Sequence, residues 1–166
     1  MTIDINNEAG VEADTAGLVA LARFVLDELR IHPLAELSIV LVDEATMTAY
    51  HEKFMDEPGP TDVLSFPMDE LRPPSDEDEP PEGLLGDVVL CPSVTAVQAA
   101  DHGRTADEEA EYLLVHGILH LLGFDHAEPA EKAEMFDLHH KLLAVWGTER
   151  STRGRGGDTS GGRPVR

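Results

Sequence analysis

The chain has one cysteine in 166 residues, Cys91, so it holds no internal disulfide and no cysteine-based zinc knuckle. Its stability must come from an apolar core, and 166 residues are enough for one domain with such a core but too few for two of ordinary size. Long apolar runs are missing as well. No segment approaches the roughly 18 residues of a membrane span, and Met1 to Glu8 lacks the basic start and apolar stretch of an export signal. A cytoplasmic protein is expected, with no membrane partner and no nucleotide cofactor.

Basic residues are scarce, with 12 Lys and Arg against 33 Asp and Glu and a net charge of -21. That balance opposes loose electrostatic attachment to nucleic acid or to an anionic membrane. The charge is uneven: five arginines against Glu149 and Asp158 leave residues 147–166 at +3, and residues 1–146 at -24. Any polyanion must therefore be held locally. The Gly/Arg-rich stretch 148–166 has only Val165 to bury and is expected to be disordered. Residues 72–83 combine four prolines with five acids and are expected to form a mobile loop. Residues 1–147 are then one domain.

Within that domain, Ile3 and Ile5 alternate with polar neighbours, so Thr2 to Ile5 reads as a strand. Asp14 is placed to cap a helix whose Leu18, Leu21, Ala22, Val25, Leu26 and Leu29 recur at three- and four-residue steps. Leu37 to Val42 is an unbroken apolar run, the pattern of a strand covered on both faces. Asp43 opens a second helix through Phe54, and Asp62 to Phe66 and Leu84 to Cys91 are two further strands. Pro92 starts a third helix, Thr105 with Glu108 forms a capping box for a fourth, and Pro129 starts a fifth that ends near Gly147. In the last, Met135, Leu138, Leu142 and Val145 are expected inward. The fold class that follows is α+β, a small mixed sheet of about four strands packed against helices.

The most informative stretch is His116-Gly117-Ile118-Leu119-His120-Leu121-Leu122-Gly123-Phe124-Asp125-His126. Residues four apart on a helix lie one above the other, so His116 and His120 present two imidazoles from one face. Gly123 is suited to the left-handed turn that stops a helix, and His126 follows it, placed to swing back as a third ligand. Three neutral imidazoles without a thiolate describe one zinc ion with an open fourth position, the form of a catalytic rather than a structural site. Asp125 is either a fourth ligand or an acceptor that orients one imidazole, and its place beside His126 favours the second. The spacing equals that of the metzincin proteases, but Gly117 stands where their catalytic Glu stands, which makes a protease the weaker reading. His32, His51, His102, His139 and His140 have no partners at fixed spacing and read as surface or packing residues. Cys91 reads as a small buried hydrophobe, and Asp107, Glu108, Glu109 and Glu111 as complements to the helix dipole.

With those residues read, the chain resembles the YbeY family of bacterial endoribonucleases and rRNA maturation factors. The His116–His126 segment looks like that family's His-Gly-x-Leu-His-Leu-x-Gly-Tyr/Phe-Asp-His, and Pro60 to Pro67 and Leu85 to Val89 are further points of similarity. The resemblance implies a zinc-hydrolase-like fold with zinc held by His116, His120 and His126. It also implies a single-strand-specific, metal-dependent endoribonuclease acting in late 16S rRNA maturation and ribosome quality control. Its partners would be rRNA and the small ribosomal subunit or its assembly factors. Many members carry an arginine where this chain has Met55, so the resemblance implies either that another cation serves, with Lys53, Arg72 and the tail arginines candidates by type, or that this chain is a weaker nuclease. Ser65, in the Pro60 to Pro67 segment, is a candidate donor to the substrate. Two alternatives stand beside this reading: a non-catalytic zinc-containing assembly factor, and a metal-dependent hydrolase of another substrate.

Overall fold

In Leu37, Ile39 and Leu41 every second side chain is buried, the period of a strand that sets one face against a core. The computed structural model describes residues 1–31, 33–69, 83–125 and 127–157, with side chains as far as Thr148. It contains β1 (Thr2–Asn7), α1 (Thr15–Glu28), β2 (Glu36–Leu41), α2 (Glu44–Met55), β3 (Val63–Pro67), β4 (Leu84–Leu90), α3 (Pro92–His102), α4 (Ala106–Leu121) and α5 (Pro129–Gly157). The four strands form one mixed sheet in the order β1-β2-β4-β3, parallel except for β3, which runs antiparallel to β4. The α+β expectation with about four strands is borne out.

The main core lies on one face of the sheet, where Leu21 and Val25 of α1 and Leu114 and Ile118 of α4 pack on Ile39, Val88 and Leu90. The other face carries a smaller cluster of Met47, Leu64, Val89 and Cys91. Because that second cover is partial, Ser38 and Val40 are only half-buried, and β2 is less enclosed than its apolar run implies. Near the start of β4 the pairing passes from Glu36 with Leu84 to Leu37 with Gly86, a bulge that leaves Leu85 without a partner residue in β2. Gly86 sits at φ 131°, and a Cβ there would collide with the Phe66 carbonyl oxygen, so glycine is what lets β3 close on β4.

The helix starts follow their local signals. Asp14 accepts from the Gly17 N–H at 3.0 Å, and Asp43 accepts from that of Thr46 at 2.8 Å. The hydrogen bonds from Thr46 hold the Asp43 carboxyl below its usual range. Thr105 and Glu108 form the expected capping box, and Pro92 begins α3.

The last helix departs from expectation twice. Its buried row is Met135, His139, Leu142 and Trp146, while Val145 is exposed. The indole decides the register: it lies 5.3 Å from the Phe24 ring and donates to Glu111 at 3.2 Å, burying far more apolar surface than a valine would. Moreover, α5 does not stop near Gly147 but continues to Gly157. Extending a helix already anchored by its buried half adds a hydrogen bond per residue without a new nucleation cost. Of the stretch expected to be disordered, residues 148–157 are helical in backbone and residues 158–166 lie outside the described residues. The acidic proline-rich loop also lies outside them, apart from Gly83. Among the described residues no helix is long and apolar enough to cross a membrane.

Candidate metal centre

The site is built on the end of α4. Gly117, one residue after the first histidine, faces the sheet. A Cβ there would stand 2.8 Å from Val88 Cγ1, 3.2 Å from Ser65 Oγ and 3.3 Å from Val63 Cγ2. A side chain at this position would have to push aside the Val88, Ser65 and Val63 side chains, so the place held by Glu in the metzincins is a packing contact here. Ser65 Oγ donates to the Gly117 carbonyl oxygen at 2.9 Å, which ties the ligand-bearing turn to β3.

His116 and His120, both half-buried, occupy another face of α4. Their Nε2 atoms are 3.0 Å apart, with ring centroids at 4.6 Å and planes crossed at 78°. Two nitrogens bound to one tetrahedral zinc at roughly 2.0–2.1 Å stand roughly 3.3 Å from each other, so this pair fits one ion with little adjustment. The helix ends as its glycine demands. Gly123 adopts φ 93°, its N–H donates to the His120 carbonyl at 3.0 Å, and the Phe124 N–H reaches back to that of Leu119 at 3.0 Å. This is a Schellman motif, and it turns the chain back toward the helix.

Asp125 is exposed directly after that turn, and His126 lies outside the described residues. Among the described residues no group of three His, Cys, Asp or Glu comes together as a ligand set. The structure therefore brings together two of the three expected ligands, and the third lies outside the described residues. Met55 is 55% exposed at the end of α2, Lys53 sits 5.2 Å over the Phe54 ring, and Arg72 and the tail arginines fall outside the described side chains.

Two groups near α4 do more than their sequence context implies. Glu109, expected only to complement the helix dipole, is buried and receives Arg104 Nη1 at 3.0 Å and His102 Nδ1 at 3.1 Å. His139 is fully buried in the seam between α4 and α5, with Nε2 3.0 Å from the Tyr112 carbonyl oxygen. Burial, and next the neighbouring His116, push its pKa down from 6.5 to about 4, so it is neutral at physiological pH. Its four-residue step from Met135 and three-residue step to Leu142 were a signal in the sequence. A polar residue in an apolar row is easily passed over. Cys91 is buried beside Ser93, as a small hydrophobe would be.

A family model described as Endoribonuclease YbeY matches residues 3–147. Endoribonuclease YbeY of Cutibacterium acnes is 65% identical over 153 residues, covering 92% of this chain and 99% of that protein. The Acidothermus cellulolyticus protein of the same name is 57% identical over 162 residues, covering 95% and 98%. The solution structure of TM1509 from Thermotoga maritima superimposes with a TM-score of 0.60 at 26% identity, covering 99% of this chain and 100% of that one.

Proposed function

The chain belongs to the YbeY endoribonuclease family, and on that basis we propose that it is a zinc-dependent endoribonuclease that cleaves single-stranded RNA in late 16S rRNA maturation and ribosome quality control. The observation that carries the zinc part is the 3.0 Å convergence of the His116 and His120 Nε2 atoms on a helix closed by a turn. His126, two residues past Phe124, is the third ligand in this reading. When bound, zinc on neutral imidazoles supplies Lewis acidity, polarising a phosphoryl oxygen and acidifying water.

The chain's own residues set the limits of that chemistry. Gly117 carries no carboxylate and has no room for one, so peptide hydrolysis by the metzincin route lacks its base. Ser65 holds α4 through the Gly117 carbonyl, and to donate to a substrate it would have to release that bond. Asp125 takes the part of orienting a ligand imidazole through its second ring nitrogen. Residues 1–146 carry a charge of -24, with 7 Lys and Arg of the 12 in the chain, so duplex RNA is repelled along most of the surface. The partners in this reading are rRNA and the small ribosomal subunit or its assembly factors, met in the cytoplasm.

One observation favours a second reading, a zinc-containing assembly factor without catalysis: Met55 is exposed at the place where the family resemblance implies an arginine in many members. One assay separates the readings. The purified chain is incubated with single-stranded RNA, duplex RNA, peptide and ester substrates, with chelator and after zinc is restored. Cleavage of single-stranded RNA that chelator stops, zinc restores and His116→Ala abolishes is the expected result. A zinc-loaded chain that cleaves no RNA overturns the nuclease reading, and cleavage of peptide or ester instead assigns another substrate.

A further inference from the structure

Behind the ligand pair stands a third imidazole. His139 of α5 has no solvent exposure, and its Nε2 lies 3.0 Å from the Tyr112 carbonyl oxygen. A carbonyl oxygen only accepts, so Nε2 carries the ring proton and Nδ1 of the neutral ring is left with a lone pair. That Nδ1 has no hydrogen-bond partner among the described residues. Buried acceptors are rarely left so, and an orphan at this depth calls for a donor. The nearest candidate ligand is beside it: the His139 and His116 ring centroids are 5.8 Å apart, with planes at 41°. A direct N–H···N bond of roughly 2.7–3.2 Å brings two imidazole centroids to roughly 5–5.5 Å, so the pair stands a few tenths of an ångström outside that contact.

Resting on the zinc reading above, we propose that His139 is the positioning residue of His116. An imidazole that binds an ion through Nε2 keeps a proton on Nδ1 and needs an acceptor for it, and the partner that accepts fixes the ring's tautomer and direction. His139 Nδ1 is the acceptor in this proposal, reached when the His116 ring turns the last few tenths of an ångström on binding the ion. The Tyr112 ring packs 4.1 Å from the His139 ring, and Arg104, paired with buried Glu109, lies 4.6 Å over that Tyr112 ring. Tyr112 is also one helical turn before His116, so the His139 Nε2–H grips the turn from which the ligand projects. The acceptor and the ligand are thereby located by one rigid unit.

The test compares wild type with His139→Gln, which keeps an amide donor and acceptor, and His139→Phe, which keeps the ring and loses both. Zinc affinity is read by chelator competition, ligand geometry by the cobalt(II) spectrum, and fold by thermal melting of the metal-free chains. The Phe variant should bind zinc about ten- to a hundredfold more weakly with a shifted cobalt spectrum, while the Gln variant stays within about threefold. Unchanged zinc affinity in the Phe variant overturns the assignment, and so does an equal loss in both variants, which would mean packing alone. A wild type that binds no zinc overturns the metal reading, and the role of His139 with it. If the Phe variant does not fold, nitrogen-15 NMR of the zinc-loaded wild type decides. Coupling between the His116 and His139 Nδ1 nuclei is expected, and a protonated His139 Nδ1 would overturn the proposal.

Discussion

The two sides of α4 are held in different ways. Toward the sheet, Gly117 sits so close to the Val88, Ser65 and Val63 side chains that even a Cβ would force them to shift, and Ile118 and Leu114 are fully buried. Toward α5, the same turns carry half-buried His116 and His120 beside a buried imidazole with an unused lone pair. Close packing on the first side fixes where the helix lies, and contacts of that kind have no slack. The second side is then free to carry polar groups whose positions the first side has already set.

The comparison is broken most severely by Gly117→Glu, which restores the metzincin glutamate. A carboxylate forced against Val88 is both overpacked and unpaired, and the cost should exceed about 4 kcal/mol, enough to unfold a marginal domain. Far-UV circular dichroism would show it, and a variant that melts like wild type would mean the sheet side is looser than described. On the α5 side, Trp146→Ala should cost about 3–5 kcal/mol in urea unfolding, through its contacts with Phe24 and Glu111.

A pH series sharpens the same contrast. The folded pKa of His139, about 4, lies below its ordinary 6.5, so the unfolded chain binds the proton more readily. The stability this group supplies is complete above pH 6.5 and is lost as pH falls toward 4. The metal-free wild type should therefore melt at a lower temperature at pH 5 than at pH 7. In His139→Phe that decline should be shallower, and an equally steep one would place the titration elsewhere.

Smaller effects test individual contacts. Ser65→Ala removes the bond to the Gly117 carbonyl and should cost about 1 kcal/mol, with RNA cleavage per zinc-loaded molecule retained. Loss of cleavage at full zinc loading would return Ser65 to the substrate. Val145→Lys, on the exposed side of α5, should change stability by less than about 0.5 kcal/mol, against the large cost of its neighbour Trp146.

What could be read in the sequence was local. The Thr105 capping box, the Asp14 and Asp43 caps and the glycine stop at Gly123 each depend on a few adjacent residues, and each was legible. So was the spacing that brings His116 to His120, because four residues make about one helical turn. Contacts made across the fold were not. That Gly117 faces Val88, that Glu109 is buried with Arg104 and that Ser65 reaches α4 all depend on how the sheet meets the helix. The register of α5 failed for a related reason: a buried histidine and a tryptophan that ends the row are identified only by the seam they fill.

The most direct test of the whole account is the zinc content of the purified chain beside His116→Ala, His120→Ala and the double variant, each checked for an intact melting transition. One zinc per wild-type chain, lost in every variant that still folds, is the predicted result. Stoichiometric zinc in the folded double variant would contradict it.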